Sequence, residues 1–444
     1  MKKTSVLFSA VARSSGFRQI RKKGVFVSLR NGVFSILVGV VLASPMTVYG
    51  LVNILKLDIS PALTAQDASW LTGGIAEANV RDTMSFEGFE RGLFQDSMES
   101  AVGNYVPAKA SVLLANAAVQ RLFISASSSL FGWPCYPTYY GSTKLYSPAH
   151  VALAEMPMLD ETKVVASDVF EKGTRRFGAA LAELAKKYPE KNFCVVVADR
   201  TSTSSVNPAF SLVSNRLSTD ECANFLQRQV TALDNVSVVA KTYDDTEEYY
   251  GFFYPTDHHW NGYGALDAAR GVVSAGMLGD IEDPVSAIDF GELFFNGTLS
   301  RRGLLCLNRP PIIEPVFDVR SMSVEEGASS YFKYLFAVNG SNELEHQELR
   351  AEYNFYGEWY GGDRSVRISN AAGGEKSKAL LICDSYGDAF RWAIAGQYKE
   401  LYCEMQLKKA SYTASDLESW ISGYDCEDVY LVAWAGNFAH MKDE

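Results

Sequence analysis

Phe253-Tyr254-Pro255-Thr256-Asp257-His258-His259-Trp260-Asn261-Gly262 gathers two of the chain's five histidines beside a carboxylate, and what it does decides which fold the rest must build. Asp257 and His259 stand two positions apart. In an extended segment alternate side chains share a face, so these two are expected to point the same way while His258 turns aside. A carboxylate placed there orients an imidazole and stabilises its protonated form, as a general base requires. The hydroxyl it would serve is sought in Ala379-Leu380-Leu381-Ile382-Cys383-Asp384-Ser385-Tyr386-Gly387-Asp388, a short apolar run ending in an Asp-Ser-Tyr-Gly turn. Two plainer readings compete. One is a metal site, which lacks a spaced third ligand or a Cys pair. The other is structural, with Asp257 capping a helix that opens near Asn261.

Taken together the two stretches carry a resemblance. Thr256-Asp257-His258-His259-Trp260 looks like the motif that names the DHHW family, which is similar to the alginate O-acetyltransferase group of SGNH-like hydrolases. In that family the Asp-x-His segment precedes the Ser turn, a permuted order relative to ordinary SGNH esterases. Phe295 to Arg302 and Tyr356-Gly357-Glu358-Trp359-Tyr360-Gly361-Gly362-Asp363 fall in the family's order as well, and the likeness spans roughly residues 80 to 437. It implies an α/β, SGNH-hydrolase-like (flavodoxin-like) sheet with helices on both faces. It also implies a Ser385-His259-Asp257 relay, with Asn437, Tyr386, Trp260 and Arg364 as oxyanion or substrate-binding candidates. The implied activity is O-acetylation of a cell-surface polysaccharide, with a multi-spanning membrane O-acyltransferase supplying acetyl groups. A carbohydrate esterase and a degenerate glycan-binding protein are the alternatives. Two departures bear on this: Cys383 stands where SGNH proteins usually have Gly, and Gly436-Asn437 is an incomplete Gly-x-Asn block.

Outward from the motifs, charge is unevenly spread. Residues 1–57 hold nine Lys or Arg and no acid, which leaves the remainder at -20 within an overall -11. Such a body is not expected to bind nucleic acid or an anionic polymer across its surface. Residues 32–55 carry no charged side chain for 24 positions. At about 1.5 Å per residue they are long enough to cross a hydrocarbon layer of roughly 30 Å. The basic flank then places the N-terminus in the cytoplasm, and the expectation is a single-pass cell-membrane protein whose body lies outside. A cleaved signal peptide is the runner-up.

The chain is accordingly divided into a basic tail (1–31), a transmembrane anchor (32–55), a membrane-proximal helical region (56–160) and a catalytic domain (161–444) with an aromatic-rich insertion at about 285–375. From about residue 160, helix and strand alternate: a helix over 169–187, a strand over 193–198, a capping box at Ser218-Thr219-Asp220-Glu221, a strand over 236–239 and a helix from Asn261. After Ser385 come a helix to about Gln397 and strands over 401–405 and 429–434. The crowded aromatics between Tyr331 and Tyr360 read either as core or lid, or as a surface for sugar rings. Seven cysteines include Cys194 and Cys383 in strands, while Cys135, Cys222, Cys306, Cys403 and Cys426 are candidates for one or two bridges. No CxxC and no phosphate-cradling Gly loop occurs, so no metal or cofactor is expected.

Overall fold

The structure is a computed structural model that describes residues 51, 80–90, 92–103, 105–132, 135–137, 143–145, 167–206, 218–290, 295, 297–302, 311–325, 355–362, 365–409 and 411–443. The chain divides into two compact units, 1–113 and 114–444. The first holds the helices α1 (Val80–Thr83), α2 (Phe86–Glu90) and α3 (Leu93–Gly103). Helix α4 (Lys109–Phe131) crosses the boundary, and β1 (Cys135–Pro137) pairs antiparallel with β2 (Thr143–Leu145). Most of residues 93–131 is thus taken up by two helices.

Among the described residues no helix is long and apolar enough to cross a membrane. The single-pass membrane placement expected from residues 32–55 is therefore corrected; that stretch, Leu51 apart, lies outside the described residues. The 23-residue α4 has the length of a span, but Asn116, Gln120, Arg121 and the run from Ser125 to Ser129 break its apolarity.

The second unit is an α/β sandwich. Its elements run α5 (Ser167–Lys187), β3 (Asn192–Ala198), α6 (Thr219–Val230), β4 (Val236–Ala240), α7 (Thr246–Phe252), α8 (Gly262–Ser274), β5 (Ser286–Asp289), α9 (Thr298–Arg302), β6 (Ile313–Val316) and β7 (Met322–Val324). Then come α10 (Phe355–Tyr360), β8 (Val366–Asn370), β9 (Lys376–Cys383), α11 (Gly387–Ala395), β10 (Tyr398–Glu404), α12 (Ala414–Ser422), β11 (Asp428–Trp434) and α13 (Ala435–Phe438). The main sheet has the order β4-β3-β11-β9-β10-β8-β7, and β5 pairs with β6 apart from it. The five strands from β4 to β10 are parallel, while β8 and β7 extend the edge antiparallel. Counted from β9, the parallel strands stand in the order 2-1-3-4-5, the flavodoxin-like winding with its switch point between β9 and β11. The permuted order that the resemblance implies has a counterpart in the topology: the last three parallel strands of the chain are the first three of the winding.

Strand sequences explain why both faces are covered. In β3, Cys194, Val196 and Ala198 enter one core with Leu381, Cys383, Tyr430 and Val432, under α8 and α11. Phe193, Val195 and Val197 enter the other with Leu380, Ile382, Leu431 and Ala433, under α5, α6 and α12. Alternation sends successive residues to opposite faces, so a strand apolar throughout needs helices on both sides. Each fully buried Val, Leu, Ile or Phe stabilises the sandwich by roughly 1.5–3 kcal/mol. The predicted capping box is present, with Ser218 and Glu221 bonding reciprocally at the start of α6. Cys194, Cys222, Cys383, Cys403 and Cys426 are all free and buried, so the bridges envisaged for Cys222, Cys403 and Cys426 do not form.

Candidate active site

The Asp384-Ser385-Tyr386-Gly387 turn follows β9, a central strand, at the switch point. Asp384 is buried beneath the turn and fixes it. Its Oδ1 accepts the Tyr386 N–H at 2.9 Å, and its Oδ2 accepts the Trp434 N–H at 3.1 Å and the Asn437 side-chain amide at 2.7 Å. Burial pushes this carboxyl up to about 6 against those donors. Cys383 in place of glycine does not loosen the turn. A Cβ on Gly387, the first residue of α11, would collide with the Cys383 Sγ and Cβ, so the small residue that close packing requires sits four positions later.

The histidine stretch is not extended, which corrects the face argument. Phe253 and Trp260 form an isolated antiparallel bridge, and the residues between them turn tightly, with the Tyr254 N–H bonded to the His259 carbonyl. Asn261, not Asp257, caps α8: its Oδ1 accepts the Gly264 N–H at 2.9 Å, a contact worth about 1 kcal/mol. Asp257 is thereby left for the imidazole. His259 Nδ1 lies 2.6 Å from Asp257 Oδ1, and His259 Nε2 lies 2.7 Å from Ser385 Oγ, across 126 positions of sequence. Asp257 and His259 are buried and Ser385 is partly exposed, so the chain of polar atoms opens to solvent at the hydroxyl.

Asp257 is held from several sides. Its Oδ1 also accepts the His259 backbone N–H at 3.1 Å, and its Oδ2 accepts the Thr298 N–H at 2.5 Å. Burial alone would raise this carboxyl, but the adjoining His258 and His259 and the hydrogen bonds it accepts outweigh that and hold it well below the usual carboxylate range. Gly297 makes the Thr298 contact possible, because a Cβ there would stand 2.5 Å from the Asp257 Cβ. His258 does not turn aside as the alternation argument has it. Its Nδ1 is 3.3 Å from the same Asp257 Oδ1, and its ring lies 3.9 Å from that of His259. The donor atoms of Asp257, His258 and His259 fall within 4.8 Å of one another. Both Asp257 oxygens are already bonded to N–H groups, an arrangement that fits a proton relay better than a metal's ligand set.

Trp260 and Tyr386 are buried and meet edge to face. Trp260 Nε1 donates to the Tyr386 carbonyl at 3.0 Å, and the Tyr386 hydroxyl donates to the His258 carbonyl. They join the two loops through backbone groups. Asn437, the third residue of α13, directs its amide to Asp384. Arg364 lies outside the described residues, as do Tyr331, Phe332, Tyr334, Phe336 and Tyr353. Of the aromatic cluster, Tyr356, Trp359 and Tyr360 are core residues.

Two further buried groups lie nearby: Tyr356, which sequence reading placed in the aromatic cluster without a role at His259, and Glu314, which joins the Tyr254 and Tyr360 rings packed against Tyr356. The Tyr356 ring stacks on the His259 imidazole at 4.2 Å and 7°. Glu314 is wholly buried and accepts from the Tyr254 and Tyr360 hydroxyls and, at 2.9 Å, from the Gly262 N–H. Burial pushes the Glu314 carboxyl from 4.5 up to about 7. A folded carboxyl so raised binds a proton more tightly than the unfolded one. The resulting stabilisation is complete below about 4.5 and is lost as pH rises through about 7. Thermal melts across that window are expected to show a shallower decline in Glu314→Gln than in the wild type. Asp199 and Asp384, both raised to about 6 by burial, leave a residual slope of the same sign. Equal slopes in the two proteins would contradict the assignment to Glu314.

No protein-family model matches the chain, and no curated protein matches it. Solved structures similar to it include a DHHW family protein from Eubacterium siraeum, at 18% identity and TM-score 0.42 over 60% of this chain and 85% of that one; Bacillus cereus PatB1, at 16% and 0.41 over 61% and 91%; and the O-acetyltransferase domain of Pseudomonas putida AlgJ, at 12% and 0.33 over 62% and 84%. A DHHW family protein thus stands among the solved structures this chain is similar to, in keeping with its own Asp257-His258-His259-Trp260.

Proposed function

We propose that this protein is an SGNH-like serine acyltransferase that O-acetylates a cell-surface polysaccharide. The observation that carries the reading is the hydrogen-bonded series Asp257–His259–Ser385 at the switch point of the sheet. Ser385 Oγ attacks the carbonyl carbon of an acetyl ester as His259 Nε2 takes its proton, while Asp257 keeps the imidazole in the tautomer that can accept it. The tetrahedral oxyanion is met by the Ser385 N–H, together with the second hydrogen of the Asn437 amide, whose first is given to Asp384. Loss of one such donor typically costs about 2.7–4 kcal/mol of barrier. Collapse expels the donor alcohol, which regains the proton from His259, and leaves an acetyl-serine. A sugar hydroxyl then attacks that ester by the reverse proton path. A multi-spanning membrane O-acyltransferase is the proposed source of acetyl groups. The acidic remainder of the chain, at -20 outside residues 1–57, favours an acceptor of low negative charge.

Incubating the protein with p-nitrophenyl acetate and a deacetylated neutral oligosaccharide separates the readings by product. Acetylated oligosaccharide that disappears in Ser385→Ala is the expected result. Acetate release with no transfer would make the protein a carbohydrate esterase. Glycan retention with neither product would make it a binder and overturn the catalytic reading.

A further inference from the structure

We infer that Tyr356 is a positioning residue for the acyl transfer proposed above: its ring face stabilises the imidazolium that His259 becomes, and its hydroxyl steadies the turn presenting Ser385. The inference rests on the serine-transfer reading and adds a third segment to it. Tyr356 sits on α10, whose side chains at positions 356, 359 and 360 are buried. Its rings nearby differ in geometry. Tyr254 meets it edge-on at 6.1 Å and 81°, and Tyr360 is tilted at 55°, whereas the His259 ring lies flat on it at 4.2 Å and 7°. An aromatic face carries the negative part of the ring quadrupole. A parallel imidazole gains from that face chiefly when it is protonated.

His259 is neutral before attack and positive while Ser385 Oγ is bonding to carbon. The stack therefore strengthens in the transition state, where stabilisation raises turnover rather than affinity. The same residue reaches the nucleophile by a second route. Its hydroxyl donates to the Ser385 carbonyl at 3.0 Å and accepts the Ala389 N–H at 3.3 Å, spanning the join between the turn and α11. Other groups face His259 too: Asp257 and His258 on its own loop, and Asp384, Ser385 and Tyr386 on the nucleophile turn. None of these presents a ring parallel to the imidazole.

The test is the rate of covalent labelling of the full chain by a fluorophosphonate, measured against probe concentration and pH. In that step the Ser385 oxygen bonds to phosphorus, fluoride leaves, and the serine proton passes to His259 Nε2. Tyr356→Leu is expected to lower the saturating rate about tenfold, the scale of a desolvated cation–π contact, with the half-saturating concentration unchanged. It should also move the acidic limb of the pH profile to lower pH, because the imidazolium loses its stacked face. Tyr356→Phe keeps the face and is expected to restore most of the rate and the position of the limb. Tyr356→Met provides the same comparison if the leucine variant folds poorly.

A leucine or methionine variant that labels at the wild-type rate, or a phenylalanine variant as slow as leucine with the limb unmoved, overturns the inference while the serine reading stands. A wild-type protein that takes no label, or label retained in Ser385→Ala, defeats the serine reading itself and this inference with it.

Discussion

Replacing Ser385 or His259 with alanine is expected to lower p-nitrophenyl acetate turnover by about 10⁴- to 10⁶-fold, and the double variant is expected to be no slower than the worse single one. The reason lies in how the two side chains share one proton. Ser385 Oγ is a weak nucleophile unless His259 Nε2, at 2.7 Å, removes its hydrogen, and His259 has no substrate atom to act on once that hydroxyl is gone. Groups that act as a unit lose most of their effect when either is removed. Ser385 is partly exposed, so its alanine variant forfeits one hydrogen bond, worth about 0.5–1.5 kcal/mol, and should melt close to the wild type. Additive losses in the double variant would mean that the two residues serve separate steps. Stopped-flow or steady-state rates with matched melting curves decide between these outcomes.

Asp257→Asn is expected to cost about 10⁴-fold in turnover while preserving the shape of the loop. The replacement keeps an oxygen for the Thr298 N–H but puts an amide where Oδ1 stood, which gives up the His259 backbone N–H and turns a donor toward His259 Nδ1, which then becomes the acceptor. The imidazole proton moves to Nε2, where it opposes the Ser385 hydroxyl instead of receiving from it. Stability should change with a definite sign. The Asp257 carboxyl is held well below the ordinary range by His258, His259 and its N–H donors, against the opposing effect of burial. Its contribution to stability is present above the ordinary carboxylate range and is lost as pH falls through the depressed folded value. The asparagine variant should therefore melt lower than the wild type near neutrality, and the gap should narrow in strong acid. Near-normal turnover in Asp257→Asn would show that His259 is oriented by something else.

Sequence reading reached the sheet because the strands are short, continuous apolar runs. Phe193 to Ala198 and Val429 to Trp434 could be placed within a residue or two, and the family resemblance implied the permutation later seen in the strand order. Apart from the pairing of Ser385 with His259, which the resemblance supplied, sequence reading failed where contact depends on distant segments. Tyr356 meets the nucleophile turn across 29 positions and Tyr254 meets Glu314 across 60, and neither pairing leaves a periodic trace. A signal for Tyr356 was present in Tyr356, Trp359 and Tyr360, whose i, i+3, i+4 spacing marks one buried face of a short helix. The glycine shift was equally hidden: Cys383 departs from the usual pattern, and only the packed turn reveals Gly387 in the compensating place. His258 was misplaced because a strand period was applied to residues that turn. The membrane expectation rested on composition in residues 32–55, and no described helix has the character it requires.

The most direct measurement is peptide mapping by mass spectrometry of protein quenched during p-nitrophenyl acetate turnover, to locate the acetyl group held between the two half-reactions. The expected result is a single acetyl on the peptide carrying Ser385, absent in Ser385→Ala and strongly reduced in His259→Ala. An acetyl group on a different side chain, with turnover surviving in Ser385→Ala, would contradict the account.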